Sequence, residues 1–357
     1  MSEKPSVVVG MSGGVDSSVA AALLVSQGYQ VTGIMLRLWS QPCMEESNRC
    51  CTPEAMAQAR RIAAMLGIPF YALDVQERFR NTVVESFIQG YSNGMTPNPC
   101  LVCNRQIRWG FMLDQALALG ADYLATGHYA RIEYSDDGKV RLIRASDPNK
   151  DQSYVLSGLS QEQLRHSMFP LGGMKKSDVR ELARQFSLPV AERADSQDLC
   201  FLAGGDYREF LLRYAVKEMK PGKIITREGK ILGEHQGLAA YTIGQRKGLG
   251  IAAPEPFYVL EKNLAENTLV IGFKDELGQS TLKTGVVNWI SGNAPETDIR
   301  VQVKIRYRAD LAWGILHSTP DGCSVVDFDR PLRDITAGQQ AVFYDGDQVL
   351  GGGIIQP

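Results

Sequence analysis

The chain opens with an apolar run, Val7 to Val9, that a short glycine-rich stretch separates from a longer one, Val19 to Val25. The first reads as a buried strand and the second, rich in Ala and Leu, as a helix. The alternation continues. VTGIMLRLW (Val31 to Trp39) is a second apolar strand. Thr52 is placed to cap a helix, with Pro53 at its first position and Gly67 past its end. IPFYALDV follows as a third strand, then a helix from about Gln76 to Gln89 and the loop GYSNGMTPNPCLVCN. Asn104 opens another helix, which runs to Leu119, and ADYLATGHYA is a strand ending at Thr126-Gly127-His128. Strands and helices in this order predict an α/β fold with a doubly wound parallel sheet. Ligands of such sheets sit beyond the C-terminal strand ends. Three stretches lie there: the loop from Gly10 to Ser17, the end of the strand through Met35, and Gly127-His128.

Beyond His128, RIEYSDDGKVRLIRA reads as a hairpin turning at Asp137-Gly138. Lys150, Asp151 and Gln152 follow in a polar loop, and Ser177 is placed to cap the helix DVRELARQFSLP. Cys200 lies between a polar loop and a helix in AERADSQDLCFLAGGDYREFLLRY. Near residue 205 the pattern changes to glycines and short β-type segments, which predicts a small, mainly β central domain. From about 279 the alternation is short and regular, as in RVQVKIRYR and QQAVFYDGDQVLGGGII, which predicts a six- or seven-stranded β-barrel. The expected domains are therefore 1–204, 205–278 and 279–357.

Composition refines this picture. The chain has 357 residues, 44% hydrophobic and 22% charged, enough for two or three domains with a large core. No window has the length of a membrane span, and the N-terminus passes straight into a strand without room for a secretory signal. Seven cysteines make an odd number. A reducing, cytoplasmic setting with no membrane partner is the expectation. The net charge of −2 excludes a protein coated in positive charge. Basic residues nonetheless cluster at Arg105 and Arg108, at Arg141, Arg144 and Lys150, at Lys175, Lys176, Arg180 and Arg184, and at Lys304, Arg306 and Arg308. Such local patches make nucleic acid a contender.

The loop GMSGGVDSS joins a strand to a helix N-terminus, which is a ready anion site. It ends in Val15-Asp16-Ser17 rather than Gly-Lys-Ser/Thr, so it is not a Walker A loop, and its glycines lack the dinucleotide spacing. Ser-Gly-Gly-Val-Asp-Ser resembles the pyrophosphate loop of ATP pyrophosphatases, which cleave ATP between its α and β phosphates. Cys100 and Cys103 form CxxC, which alone admits a zinc half-site completed by Cys43, Cys50 or Cys51, a redox pair, or an iron–sulfur ligand set.

The ordered set of the pyrophosphate loop, TPNPCLVCN, Thr-Gly-His, Lys-Asp-Gln-Ser-Tyr, DSQDLCFL, GEHQGLAAYTIGQRKGLGI and GQQAVFYDGDQVLGGGII closely resembles the tRNA-specific 2-thiouridylases. The resemblance runs from Gly10 to Ile355. It implies ATP-dependent replacement of the C2 oxygen of the wobble uridine of tRNA by sulfur. Gly10, Met11, Ser12, Gly13, Gly14, Val15, Asp16 and Ser17 match the ATP-phosphate loop, with Asp16 acting through Mg2+. Met35 and Gly127 match backbone contacts to adenosine. Cys200 matches the persulfide carrier and Cys103 its partner, which attacks to free the sulfur with a disulfide forming between them. Asn98, Pro99 and Cys100 match the stretch facing the target base. His128, Lys150, Asp151, Gln152, Arg306, Tyr307 and Gln339 match tRNA-contacting positions. An upstream sulfur-donor protein is implied as a partner.

One departure stands out. Well-known members carry aspartate where this chain has Cys100, and that aspartate is a candidate acid/base. The substitution opens a second route, in which Cys100, Cys103 and Cys200 hold a [4Fe–4S] cluster whose remaining iron carries a hydrosulfide. Other enzymes with the same loop, and a non-catalytic RNA-binding protein bearing zinc or a cluster, are the competing readings. His166 and His235 read as ordinary polar or packed residues, Trp39 and Trp109 as packing residues, and Cys323 as inert barrel core.

Overall fold

The computed structural model describes residues 4–41, 52–194, 199–202, 205–215 and 220–357. Cys43, Cys50 and Cys51 lie outside them. Three sheets organise the chain. In the first, β1 (Ser6–Gly10), β2 (Gln30–Arg37), β3 (Phe70–Asp74) and β4 (Tyr123–Ala125) run parallel. A hairpin follows, β5 (Arg131–Tyr134) and β6 (Val140–Ile143), and then the short parallel strand β7 (Ser167–Met168) completes the order β3-β2-β1-β4-β7.

The central strand is apolar on both faces because helices cover both, as buried parallel strands require. Val7 and Val9 face one cluster, with helix α1 (Val15–Ser26), helix α2 (Pro53–Met65) and the helix Lys176–Gln185. Val8 faces the other, with Trp109, Met112 and Leu113. Thr52 caps α2 as expected, its hydroxyl accepting from the Ala55 N–H, and Pro53 is the first helical residue.

Two helix starts differ from expectation. The helix after the TPNP loop begins at Pro99, not at Asn104. Asn98 is its cap, accepting from the Cys100 N–H at 3.1 Å, and Pro99 supplies a preset φ at the first position. Both cysteines of the CxxC are therefore helical. From Cys103 to Met112 this helix is π-helical, as is the neighbouring stretch Arg80–Val84. Such wide turns are rare and concentrate at functional sites. The other helix begins at Lys176 with Lys175 as its cap, not at Ser177, whose hydroxyl instead donates to Asp178.

The central sheet orders β8 (Gly222–Ile225), β9 (Ile231–His235), β10 (Tyr258–Asn263) and β11 (Thr268–Gly272) as β10-β11-β8-β9 around Ile224, Val259, Leu269 and Ile271. The last sheet contains β12 (Gln279–Thr284), β13 (Asn288–Trp289), β14 (Ile299–Lys304), β15 (Ala312–Ser318), β16 (Ser324–Leu332), β17 (Gln340–Asp345) and β18 (Gln348–Ile354). A bridge between Thr284 and Ile355 joins its first and last strands, so it closes as a barrel.

The barrel's sheet is larger than the seven strands of its own segment. The hairpin strand β6 pairs antiparallel with β18, placing Leu142 opposite Val349 and Ile143 opposite Gln348. The polar backbone of β18 beyond β17 is thereby satisfied by a hairpin from the first part of the chain, which ties the two ends together. Leu142, Tyr154, Val342, Tyr344 and Val349 share one apolar cluster across this junction. Cys323 sits in the turn before β16, half-buried, rather than in the barrel core.

Lys262 on β10 is half-buried, its ammonium donating to the Tyr241 carbonyl at 3.1 Å, and loss of hydration pushes its pKa down to about 8. The unfolded chain keeps that proton up to about pH 10.4, while the folded one releases it near 8. Stability therefore rises with pH across that window, and the cost of the desolvated charge is fully present below it. Lys262→Met should be more stable than the parent at pH 7, by on the order of 1–3 kcal/mol, with the gap closing towards pH 10.5. Urea unfolding at several pH values reads this directly; a gap that does not change with pH would show that the charge is not its origin.

Candidate active site

The loop Gly10 to Gly14 leaves β1 and enters α1 at Val15. Gly14 is the cap residue and has no side chain to satisfy the helix's first N–H groups, so they remain available to an anion. Inside the loop the Ser12 N–H donates to Ser17 Oγ at 3.1 Å, and the two hydroxyls lie 3.3 Å apart. Two glycines are required by space. Gly13 has φ of +70°, and a Cβ there would lie 2.5 Å from the Ala55 carbonyl of α2. A Cβ on Gly127 would lie 2.7 Å from the Asp16 carbonyl carbon and from the Ser17 nitrogen. The tip of β4 is thus pressed onto the first turn of α1.

Asp16 is not a bare carboxylate. The Lys176 ammonium donates to both of its oxygens, at 2.6 and 2.8 Å, and the Tyr129 hydroxyl donates to Oδ1 at 2.7 Å. Lys176 is the first residue of its helix, which aims it back at the loop. Arg193 donates to the Gly13 carbonyl at 2.7 Å. An ammonium on the carboxylate, a guanidinium on the loop backbone and a helix N-terminus thus meet one negative charge, and the balance favours a polyphosphate. Tyr129, Lys176 and Arg193 are the residues that sequence reasoning missed as site residues. Lys176 stood in a basic run that reads as a solvated face, and nothing local distinguishes it from Lys175. For Mg2+, Asp16 offers a single carboxylate, which suits an ion that takes most of its remaining ligands from phosphate and water.

The thiols form the second part. Cys100 is exposed at the start of the helix, whereas Cys103 is buried. Cys103 belongs to an apolar cluster with Phe79, Phe87, Ile107, Phe201 and Phe210, and Cys200 packs on the same cluster. Two cysteines far apart in sequence therefore meet one aromatic core. Among the described residues, no set of three or more His, Cys, Asp or Glu side chains is gathered as a metal site.

The barrel closes over the helix that carries the CxxC. The Thr96 N–H donates to the Ala337 carbonyl at 2.8 Å, and Gln339 Nε2 donates to the Thr96 carbonyl at 2.6 Å. Tyr154 donates to the Gln340 carbonyl at 2.8 Å, and its ring meets that of Tyr307 with centroids 6.0 Å apart. Arg306 is largely withdrawn from solvent, which lowers its pKa, and its Nη2 donates to the Ile243 carbonyl and to Thr336 Oγ1. The TPNP loop, the central sheet and the barrel thus meet at Arg306 and Gln339.

The resemblance-derived tRNA positions are distributed unevenly. Tyr307 is at the surface and Lys150 half-buried, but Asp151 and His128 are buried. Asp151 accepts from the Ala145 and Ser153 N–H groups, the Ser153 hydroxyl and Arg144 Nε. Gln152 exchanges hydrogen bonds with the Tyr129 backbone, accepting on its side chain and donating from its N–H. The polar loop Lys150–Gln152 therefore fixes Tyr129 below Asp16. Met35 lies buried within β2. Trp109, fully buried, and Trp39, edge-on to Phe210 and Tyr214, are packing residues as expected.

Comparison with known proteins matches three family models in order. A tRNA methyl transferase HUP domain covers residues 5–204, a tRNA methyl transferase PRC-barrel domain 208–273, and an aminomethyltransferase beta-barrel domain 279–355. The tRNA-specific 2-thiouridylase MnmA of Magnetococcus marinus is 45% identical over 99% of this chain and 100% of its own. That of Acetivibrio thermocellus is 45% identical over 99% of each chain, and that of Chloroflexus aggregans 46% over 98% of each. With a phosphate-type loop and paired thiols in one fold, and relatives matched from end to end, the chain belongs to the tRNA-specific 2-thiouridylase family.

Proposed function

We propose that this protein transfers sulfur to C2 of the wobble uridine of tRNA, using ATP to activate the C2 oxygen and a persulfide on Cys200 as the donor. The observation that carries the mechanism is the shared cluster of Cys103 and Cys200 beside a helix whose leading loop is hydrogen-bonded to the barrel at Thr96. The phosphates of ATP lie on the loop from Gly10 to Ser17, with the backbone near Met35 and Gly127 beside the adenosine. Lys176 and Arg193 offset the charge of the phosphates and of Asp16. A magnesium ion arriving with the nucleotide would be held by Asp16 and would supply further charge neutralisation.

Adenylation makes the uridine oxygen a leaving group, and pyrophosphate departs. The terminal sulfur of the Cys200 persulfide then bonds to C2, and AMP leaves with the C–O electron pair. The Cys103 thiolate attacks Cys200 Sγ and the persulfide S–S bond breaks, leaving its electrons as the thiocarbonyl of the product. A Cys103–Cys200 disulfide remains, and an external thiol reduces it. The aromatic surroundings of the pair exclude water, which would otherwise compete for the adenylate. Asn98, Pro99 and Cys100 form the wall against which the extruded base rests, as a flipped nucleotide requires. Lys150, Lys304 and Tyr307 border this wall and bind RNA phosphates, while Arg306, Gln339, Asp151 and Gln152 hold the loops that carry them.

Two outcomes test this reading. Lys176→Met leaves Asp16 facing the triphosphate without its ammonium. ATP affinity should fall at least about tenfold, with Lys176→Arg intermediate, since hydrogen bonds between charged groups contribute about 1.5–3 kcal/mol each. Calorimetry with ATP measures it, and unchanged affinity would remove Lys176 from the nucleotide site. Cys200→Ser should abolish thiolation of tRNA while tRNA-dependent ATP–pyrophosphate exchange persists. In Cys103→Ser the tRNA should remain trapped on Cys200 as a covalent adduct that dithiothreitol releases. Thiolation at the parental rate in either variant would overturn the persulfide route.

A further inference from the structure

His128 follows Gly127 at the tip of β4 and is buried. Its Nε2 lies 2.9 Å from Arg108 Nη1, and its Nδ1 lies 2.7 Å from Thr126 Oγ1. A guanidinium is only a donor, so Nε2 must be the bare, accepting nitrogen, and the ring proton sits on Nδ1 and is donated to Thr126. Burial, followed by the charge on Arg108, holds the imidazole neutral by moving its pKa well below the usual value. The same Arg108 nitrogen donates to Asn104 Oδ1 at 3.1 Å. Asn104 is buried next to Cys103, and its Nδ2 donates to the Val155 carbonyl at 2.9 Å. Trp109 packs against the His128 ring with centroids 5.4 Å apart. Arg108, Asn104 and Trp109 belong to the π-helical stretch Cys103–Met112, and from it Arg108 and Asn104 bond sideways to His128 and to the Val155 carbonyl.

We infer that Arg108 and His128 are positioning residues that fix the Cys103 thiol relative to the nucleotide loop. The path is continuous: Asp16 and Ser17 against Gly127, then His128, Arg108, Asn104 and Cys103. His128 acts inside the fold as a neutral acceptor, not as a cationic RNA contact. Arg108 bridges two acceptors from a single nitrogen whose two N–H directions are fixed by the planar guanidinium, an arrangement that lysine's freely rotating ammonium on a different stem does not hold. Misplacing a reacting group by about 1 Å costs on the order of a hundredfold in rate. The part of this inference that concerns sulfur transfer rests on the function proposed above, but the position of Cys103 does not.

The test uses full-length Arg108→Lys, Arg108→Met, His128→Gln and His128→Phe. Two readouts are taken: single-turnover release of thiolated tRNA from enzyme preloaded with persulfide, and the rate of Cys103 alkylation by iodoacetamide mapped by mass spectrometry. Arg108→Met should slow release at least tenfold and change Cys103 alkylation at least threefold, while the dissociation constant for ATP stays within twofold. Arg108→Lys should fall between the two. His128→Gln, whose amide oxygen can accept from Arg108, should restore the alkylation rate that His128→Phe disturbs. Parental alkylation and release in Arg108→Met would overturn the inference, as would equal behaviour of His128→Gln and His128→Phe. If His128→Phe does not fold, the Arg108 pair decides alone. Absence of thiolation in the parent, with alkylation still sensitive to Arg108, would sink the proposed function and leave the positioning role standing.

Discussion

The carboxylate of Asp16 sits in the first turn of α1, at the mouth of a loop shaped for phosphate, and most of the catalytic region is arranged around it. A lone negative charge there would repel the anion that the loop is built to take. Lys176 and Tyr129 answer it from two different elements, and each answer imposes a constraint. The helix Lys176–Gln185 must start where its first side chain reaches the loop. Tyr129 must stay below α1, which the Lys150–Gln152 loop ensures through Gln152. Gly127 then has to be a glycine, because the strand tip that carries Tyr129 runs against the α1 backbone. One buried-edge charge thereby fixes the relation of β1, β4, α1 and a helix much later in the chain.

A second constraint acts on the other side of the cleft. The helix that carries Cys103 rests on the aromatic cluster of Phe79, Phe87, Phe201 and Phe210. The barrel turn around Ala337–Gln340, hydrogen-bonded to Thr96 and Tyr154, roofs the loop that leads into that helix. The hairpin β5–β6 carries the barrel into that position by adding to its sheet at β18. The C-terminal barrel is therefore joined to the N-terminal part of the chain twice, once through backbone pairing with β6 and once through the TPNP loop, so its orientation over the CxxC helix is set by the fold.

Much of this was legible in the sequence. The parallel sheet followed from unbroken apolar runs, the α2 boundaries from Thr52, Pro53 and Gly67, and the hairpin turn from Asp137-Gly138. The phosphate loop and both thiols were legible as motifs because their chemistry demands particular residues at particular spacings. The helix start at Pro99 was obscured because Asn98 and Asn104 are both plausible caps, and only the Cys100 N–H decides between them. Lys176 and Arg108 were legible only as members of basic runs. Their roles depend on partners across the fold, Asp16 and His128, and no local period encodes such a pairing. Asp151 reads as solvated in a Lys-Asp-Gln string, yet four hydrogen bonds from residues 144, 145 and 153 bury it. The strand addition of β6 to β18 is likewise a pairing between remote segments, which alternation cannot announce.

The cysteine at position 100, where the resemblance to the family leads one to expect an aspartate, gains meaning from its neighbours. An acid there would have one task, to give or take a proton near the target base. In this chain the surroundings already contain two phenols whose protons are held tightly. Tyr154 is pushed up by burial, and Tyr307 is raised by burial first, then by Asp151 and Cys100. Both remain donors at neutral pH. Tyr154 spends its proton on the Gln340 carbonyl, which fixes the roof. Tyr307 stands at the surface beside it, with the Lys304 ammonium over its ring at 5.8 Å. A phenol next to a cation is suited to donate a hydrogen bond to a developing anion, which is the service a protonated carboxyl would give. The proton-handling demand on residue 100 is correspondingly smaller, and Cys100, exposed in the first turn with its N–H donated to the Asn98 cap, satisfies the fold without being asked to act as the acid.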